Sequence, residues 1–282
     1  MNELYHLFNL DVITSFKKTD KVEIINTSDG VFVIKEISLK EKNNYKLLAK
    51  YKYDYLKPLA RREYMGKTFY LFPYIEDKLE DNGNNILKEL NNIHKKTANP
   101  NSTNKISAFK LKKMILVMNE KFQLLELKIR EVELRKIKGD VEWIILAKYY
   151  IILDTKFIIY SLLKKLEKEV KDLEYAASFL HAAPNASHFK DNKFLSFNYA
   201  KEGYFVSDIY KVYLSFESSN KNIKKEIEKY LDTPFAKKYF KLMVLYSYTI
   251  LLDSIDFYKD ISPYITYTNK LAKALSLFKD YK

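Results

Sequence analysis

The chain of 282 residues has no cysteine, only five glycines, four histidines and a single tryptophan. Without cysteine it can form neither a disulfide bond nor a thiolate metal site, which fits a cytoplasmic protein. So few glycines leave little room for a glycine-rich turn that cradles phosphate on backbone N–H groups. No apolar run is long and clean enough to predict a membrane span. The most apolar stretch, 143–163, is interrupted by Lys148, Asp154 and Lys156.

Positive charge is in excess, with 49 lysines and arginines against 36 acidic residues and a formal net charge of +13. Such a balance can indicate a surface that binds nucleic acid or another anionic polymer. Here the lysines are spread along helical patterns beside glutamates, as in 162–173. That arrangement is typical of a solvated helix face. We therefore do not expect nucleic acid as a partner, and a basic surface that binds anionic polymers is kept as an alternative.

The order of local patterns predicts strands first and helices afterwards. Two apolar strand patterns, 21–26 and 31–37, flank a Thr-Ser-Asp-Gly hairpin signal. Two more short strands joined at Gly66-Lys67 lead into Pro73-Tyr74-Ile75-Glu76. Further strands are expected at 194–199 and 203–205, and a Ser/Thr/Asn-rich linker at 97–107. Helical periodicity predicts helices at 41–53, 85–95, 109–138, 141–174, 208–216, 222–231, 234–256 and 263–279.

The most informative segment is 178–213, because its polar residues have the spacing of a catalytic loop. His181-Ala182-Ala183 is followed by His188, by Leu195-Ser196-Phe197 and by Asp208 in a helical pattern. This spacing resembles that of the aminoglycoside phosphotransferase and choline kinase superfamily, and within it the spore-coat, CotS-like branch. Members of that superfamily have His-Gly-Asp, then Asn, then an apolar-Asp-Phe triplet, then a helical Asp.

The resemblance implies an α+β, bilobal protein-kinase-like fold. Its small β-rich N-lobe would occupy 1–76, and a large, mostly helical C-lobe would occupy 77–282 and contain the degenerate loop 178–213. By the same resemblance Lys35 would be the nucleotide-binding lysine and Glu41 the helix acid that pairs with it. Glu76 would lie at the hinge of a nucleotide cleft. One departure from the family lies in 15–19, where the phosphate-cradling turn is expected and no glycine is present.

The catalytic positions depart from the family at three separate roles. Ala183 replaces the catalytic Asp, His188 replaces the metal-binding Asn, and Ser196 replaces the metal-binding Asp. Mg²⁺ prefers carboxylate and phosphate oxygens, so Ser196 and His188 are poor substitutes. Only His181 and Asp208 are retained, and no metal site is predicted. Three losses weigh against enzymatic activity, although the sequence alone leaves that question open.

Our prediction is therefore a pseudokinase that acts as a binding or scaffold module with a protein partner. By resemblance it would work in spore-coat or envelope assembly, and the cleft would hold a vestigial nucleotide, a small anion or nothing. No cofactor is predicted. The alternative from another class is an active small-molecule kinase that uses ATP and Mg²⁺, with Asp191, Glu202 or Asp208 replacing the lost acids.

Overall fold

The computed structural model describes residues 4–76, 83–102, 106–170 and 177–280. Backbone contacts group these residues into two compact units. The first contains the described residues of Met1–Ala98 together with Ser178–Ile223, and the second those of Asn99–Ala177 with Lys224–Lys282. The predicted lobe boundary at 76 precedes residues outside the described ranges, and it stays a prediction. None of the helices in the described ranges has both the length and the apolar character needed to cross a membrane.

The first unit is built on a five-stranded antiparallel sheet in the order β1-β2-β3-β5-β4. Its strands are β1 (Val12–Thr19), β2 (Val22–Thr27), β3 (Gly30–Ile37), β4 (Ala60–Tyr64) and β5 (Lys67–Pro73). The predicted hairpin at 21–37 and the two predicted strands joined at Gly66-Lys67 are both present. Residues 15–19, the stretch without glycine, pair with β2 as part of strand β1.

The two faces of this sheet have different neighbours because side chains alternate along a strand. Ile34 and Leu71 lie directly opposite each other and pack with Phe8 of the N-terminal 3-10 helix Leu4–Phe8. The next pair along, Lys35 and Tyr70, points to the other face, where Tyr70 contacts Tyr45 of helix α1. The alternation therefore places Lys35 on the side of the sheet that α1 covers.

Helix α1 (Leu39–Lys50) follows β3 after a single residue, Ser38. The Ser38 hydroxyl accepts the backbone N–H of Glu41 at 3.1 Å and caps the helix. This cap fixes Glu41 in the first turn, six residues after Lys35. The apolar positions Tyr45 and Leu48 are buried, so the helix is held to the sheet by its apolar stripe.

Helix α2 (Gly83–Lys96) is amphipathic, and its buried stripe includes Ile86, Leu90 and Ile93 with His94 near its end. The predicted catalytic loop follows strand β6 (Ser178–Leu180), which pairs with β9 (Lys201–Gly203). Between them lie the 3-10 turn Ala186–His188 and the small hairpin of β7 (Phe189–Lys190) and β8 (Lys193–Phe194). Helix α5 (Val206–Phe216) ends this segment.

The second unit is helical apart from an isolated bridge between Asn99 and Ala177. Its helices are α3 (Ala108–Glu133), α4 (Asp140–Glu169), α6 (Ile223–Glu228), α7 (Pro234–Asp253) and α8 (Ser262–Leu277). Helices α3 and α4 pack as a hairpin, and α7 packs on both α4 and α8. The predicted helix at 141–174 is a single helix over its described part, and its predicted end lies outside the described residues, as does 103–105 of the predicted linker.

Several predicted boundaries are wrong in informative ways. The strand expected at 194–199 is limited to the end of β8 at Phe194, and the strand expected at 203–205 is β9, which ends at Gly203. The helix expected to begin at Asp208 begins two residues earlier, at Val206. Helix α3 ends at Glu133 rather than at 138, because Gly139 already serves as the N-cap of α4.

Candidate functional site

The candidate site is centred on a three-residue network that joins the sheet, helix α1 and the degenerate loop. The Lys35 ammonium lies 2.6 Å from Glu41 Oε1 and 2.7 Å from the Ser196 hydroxyl oxygen. The Ser196 hydroxyl in turn donates to Glu41 Oε1 at 3.1 Å. The structure therefore brings together three residues singled out from the sequence. Their role toward a nucleotide stays a prediction.

A single oxygen of Glu41 carries most of this network. Besides Lys35 and Ser196, Glu41 Oε1 accepts the Phe197 backbone N–H at 3.0 Å and lies 3.4 Å from the Tyr45 hydroxyl. The Glu41 side chain is 1% exposed and the Lys35 side chain 15%. Because charged hydrogen bonds are strong and an unpaired buried charge is costly, this carboxylate needs its donors. Lys35 is one of these donors, and a strand lysine paired with a helix acid in this way is also part of active protein kinases.

Asn44 of α1 and the N-cap residue Ser38, neither of which the sequence singled out, hold the same loop. The Asn44 amide donates to the Phe197 carbonyl at 2.7 Å and to the Ala200 carbonyl at 3.3 Å. The Ser38 hydroxyl donates to Asn198 Oδ1 at 2.8 Å. These contacts join residues more than 150 positions apart, so no local pattern could have indicated them. They attach the segment after Ser196 to α1 rather than to a neighbouring strand.

Asp208 braces the loop backbone. Its carboxylate accepts the His181 N–H at 2.7 Å and the Ala182 N–H at 2.8 Å, and it lies 3.1 Å from His94 Nε2. Burial raises the pKa of Asp208, but the His94 hydrogen bond, the neighbouring histidines and the loop N–H groups outweigh burial and hold this pKa below its ordinary value. This carboxylate therefore braces the loop from helix α5.

The backbone at Ala182 adopts a positive φ of 67°. This left-handed conformation costs a residue with a Cβ about 1–2 kcal/mol, a cost that glycine would avoid. The Ala182 carbonyl accepts Lys211 Nζ at 2.5 Å. The loop thus keeps a sharp turn without the residue best suited to it.

His181 is buried in aromatic surroundings. Its ring stacks on Phe194 with centroids 4.1 Å apart and meets Phe197 edge-on. Its Nδ1 accepts the Ala183 N–H at 3.3 Å, and Nε2 has no hydrogen-bond partner among the described residues. Burial lowers the pKa of His181 to about 4, although the Asp208 carboxylate acts in the opposite direction. The side chain is therefore neutral at physiological pH and fills the loop core.

Ala183 and His188 are the residues predicted at the positions of a catalytic Asp and a metal-binding Asn, and that assignment stays a prediction. Ala183 has no side chain that can accept a proton, and its carbonyl lies 3.2 Å from His188 Nδ1. Burial lowers the pKa of His188, and the positive charge of Lys35 lowers it further, against the effect of the Ala183 carbonyl. His188 thus contributes a neutral imidazole near Lys35.

The predicted hinge residue Glu76 is exposed at the end of a described range, beyond the end of β5. One residue earlier, the Ile75 carbonyl accepts Lys190 Nζ at 3.3 Å, and that ammonium lies 5.9 Å from the centre of the Tyr74 ring. Lys190 is 8% exposed. A backbone acceptor of the predicted hinge is therefore already bonded by a lysine of the loop.

The candidate replacement acids are placed for structural roles. Asp191 is exposed in the tight turn between β7 and β8, where it and Asn192 have positive φ angles of 47° and 56°. Glu202 lies in β9 directly opposite Phe179. Asp208 has no exposed surface and bonds the loop. None of the three acids is among the residues that hydrogen-bond Lys35, which are Glu41 and Ser196.

The residues of this site do not fit Mg²⁺. Octahedral Mg²⁺ needs hard oxygen ligands, normally at least one carboxylate besides phosphate oxygens. The Ser196 oxygen lies between Lys35 and Glu41, and His188 offers nitrogen. Across the described ranges, no group of three or more histidine or acidic side chains is close enough to hold a metal ion.

Comparison with solved structures places the chain in a kinase-like fold. An aminoglycoside phosphotransferase from Alicyclobacillus acidocaldarius has a TM-score of 0.68 at 9% identity, over 99% of this chain and 96% of that chain. Spectinomycin phosphotransferase in complex with ADP and spectinomycin has a TM-score of 0.51 at 9% identity, over 96% and 94%. A GDP complex of an aminoglycoside 2'-phosphotransferase variant has a TM-score of 0.51 at 13% identity, over 99% and 94%.

No protein-family model and no curated protein matches the sequence. At such low identities the similarity establishes the fold alone. The prediction of an α+β kinase-like fold, with a small antiparallel sheet and a mostly helical remainder, is confirmed.

Proposed function

We propose that this protein is a catalytically inactive member of the phosphotransferase fold that works as a binding or scaffold module. The observation that carries the proposal is the position of Ser196. Its hydroxyl bridges Lys35 and Glu41, in the place where the superfamily has a metal-binding carboxylate. Lys35 pairs with Glu41 as the equivalent lysine does in active protein kinases, so the neutral Ser196 hydroxyl beside this pair is the feature that argues against metal binding.

Phosphoryl transfer depends on positioning and charge stabilisation more than on covalent chemistry. A carboxylate must orient the attacking hydroxyl, and metal ions must neutralise the phosphate oxygens. Ala183 supplies no carboxylate for the first task, and Ser196 and His188 are poor ligands for the second. Each loss affects a different part of the machinery, so no single neighbouring acid replaces all of them.

The arrangement of the other acids favours inactivity over a kinase with displaced residues. Asp208 is fully buried, and its two oxygens accept N–H groups from His181 and Ala182. Releasing this carboxylate for metal binding would leave those N–H groups without an acceptor, at a cost of about 1–3 kcal/mol each. Asp191 is fixed in a hairpin turn. An active ATP- and Mg²⁺-dependent enzyme is therefore the weaker proposal.

The proposed binding role has two parts. The first is a small anionic ligand, or a nucleotide held without metal, for which the partly exposed Lys35 would be the cationic contact. The helical part of the chain would present surfaces to a protein partner. The resemblance of 178–213 to the spore-coat branch supports a role in coat or envelope assembly, and the scattered lysines give no support to nucleic acid as a partner.

A thermal-shift titration with ATP, ADP and GTP, each with Mg²⁺ and with EDTA, tests this proposal. A ligand at about a hundred times its dissociation constant stabilises the folded state by ~2.7 kcal/mol, which is readily visible. We expect no Mg²⁺-dependent shift with any nucleotide. A shift of equal size with Mg²⁺ and EDTA supports a metal-free binding module. A shift that requires Mg²⁺ contradicts the proposal.

A further inference from the structure

Helix α4 exposes a regular aromatic stripe in the second unit. Trp143, Tyr150 and Phe157 recur every seven residues, and their side chains are 60%, 63% and 70% exposed. Apolar side chains of this size normally lie in a core or an interface, so a regular exposed series indicates a binding surface. The seven-residue spacing keeps all three on one side of the helix.

Small exposed side chains alternate with these aromatic residues along the same side. They are Ala147, Asp154 and Ser161, each four residues after an aromatic residue. The combined spacing of four and three residues is the seam pattern of helices that pack side by side. The seam is extended at one end by exposed Asp140 and at the other by exposed Lys164, which keep the same spacing.

This seam is complementary to itself when a second copy runs antiparallel across it. With the two-fold axis between Tyr150 and Asp154, every aromatic residue meets a small one. Trp143 then faces Ser161 of the second copy, and Phe157 faces its Ala147. In the centre, the Tyr150 hydroxyl can donate to the Asp154 carboxylate of the second copy.

The same register also matches charge at both ends of the seam. Asp140 of one copy faces Lys164 of the other, and the symmetry repeats this pair at the opposite end. From Asp140 to Lys164 the seam extends ~36 Å along α4. Self-complementarity of both size and charge in one register is what an isologous two-fold interface requires.

Helix α3 widens this surface. Leu116 and Leu127 of this helix, and Leu134 directly after its end, are 69%, 57% and 72% exposed. On both helices the exposed stripe lies on the side of the helix opposite the buried positions. Side chains that bond α3 to α4, such as Lys156 donating to Glu126, lie between the buried side and the exposed stripe. The two stripes therefore share the outer face of the hairpin.

The area of this face is adequate for a dimer. Aromatic side chains of about 200 Å² each, exposed by 60–70%, leave on the order of 400 Å² per copy on α4 alone. The α3 leucines bring the apolar area toward the ~800 Å² per partner of a standard interface. We propose that the outer face of the α3–α4 hairpin binds a second copy of this chain, with the two α4 helices antiparallel across the seam.

Sedimentation velocity of the full chain from about 1 to about 100 µM tests this proposal. Trp143 is the only tryptophan, so its emission reports on the seam directly. We expect a dimer at the higher concentrations. On dimerisation the Trp143 emission should shift to shorter wavelength and be quenched less by acrylamide, with the same midpoint concentration as the change in sedimentation. A chain that sediments as a monomer throughout, with unchanged emission, overturns the proposal.

Variants then test the register. Tyr150→Glu places a second acid against Asp154, so we expect at least a tenfold weaker dimer, about 1.4 kcal/mol. Tyr199→Glu, at a tyrosine of the first unit with 61% exposure, is the matched control and should leave association unchanged. A dimer that survives Tyr150→Glu overturns the proposal.

A charge exchange separates this register from non-specific apolar association. Asp140→Lys and Lys164→Asp should each weaken the dimer about tenfold, because each puts like charges in contact twice. The double variant restores opposite charges and should return the dissociation constant close to the original. A double variant that is no better than either single variant contradicts the antiparallel register.

Discussion

Replacing Lys35 by methionine tests whether Lys35 stabilises the fold by balancing the buried charge of Glu41. Lys35→Met leaves Glu41, which is 1% exposed, without its cationic partner. Breaking a buried ion pair by removing one partner costs about 3–5 kcal/mol. We expect a loss near the lower limit, about 3 kcal/mol, because the Ser196 hydroxyl and the Phe197 N–H still donate to Glu41.

Two further variants make this prediction specific. Glu41→Gln in the Lys35→Met background removes the unpaired charge, and we expect it to recover about 2 kcal/mol. Lys67→Met is the matched control, because Lys67 contacts Glu36 at 2.9 Å but is itself 58% exposed. Exposed pairs of this kind contribute less than about 1 kcal/mol.

Differential scanning calorimetry is the appropriate assay, because a chain of two compact units need not unfold in one step. A loss of 3 kcal/mol corresponds to a Tm lower by about 6–12 °C for a unit of 150–250 residues. If Lys35→Met lowers Tm no more than Lys67→Met, Lys35 does not serve mainly to balance Glu41. The interpretation of Lys35, Glu41 and Ser196 as a charge-balanced structural network is then refuted.

Three other variants test the degenerate loop. Ala182→Gly should raise stability by about 0.5 kcal/mol, because relief of the left-handed backbone exceeds the added entropy of the unfolded chain. Asp208→Asn should lower stability by about 3 kcal/mol and speed amide exchange in the loop, because two charged hydrogen bonds are weakened. The folded pKa of His181 lies near 4, below the ordinary 6.5, so its contribution is complete above pH 6.5 and is lost as the pH falls toward 4. His181→Phe should therefore reduce the loss of stability between these pH values, by up to about 3 kcal/mol.

Each of these predictions has its own control. Ala183→Gly, at a position without positive φ, should lower stability, and an equal effect at both alanines contradicts the strain argument. Asp191→Asn, in an exposed turn, should change stability little, and a loss matching that of Asp208→Asn contradicts the bracing role. Chemical denaturation at several pH values from 4 to 7 measures the free energy of unfolding of the native protein and of His181→Phe. If this free energy depends on pH equally in both proteins, the pKa assigned to His181 is rejected.

Local sequence signals predicted the parts of the site that depend on short spacing. Lys35 and Glu41 are six residues apart, and a strand followed by a capped helix brings them together. For this pair a short segment of regular geometry decides the outcome, so the local sequence pattern is sufficient. His181, Ser196 and Asp208 were grouped by the resemblance to the superfamily, and their roles stay predictions.

The parts that sequence reasoning missed depend on long-range hydrogen bonds. The pattern at 194–199 looked like a strand because Phe194 and Phe197 are both apolar, and both are buried. The Phe197 carbonyl, however, accepts a hydrogen bond from the Asn44 side chain of α1 and not from a neighbouring strand.

The central claim is that this fold has lost phosphoryl transfer, and the direct measurement is the release of phosphate from ATP with saturating Mg²⁺ by the native protein. We expect no release above that of the buffer, with or without Mg²⁺. Asp191→Asn and Glu202→Gln, measured in parallel, should then be indistinguishable from the native protein. Mg²⁺-dependent release by the native protein that either substitution abolishes would contradict the account, because a displaced acid would then be supporting catalysis.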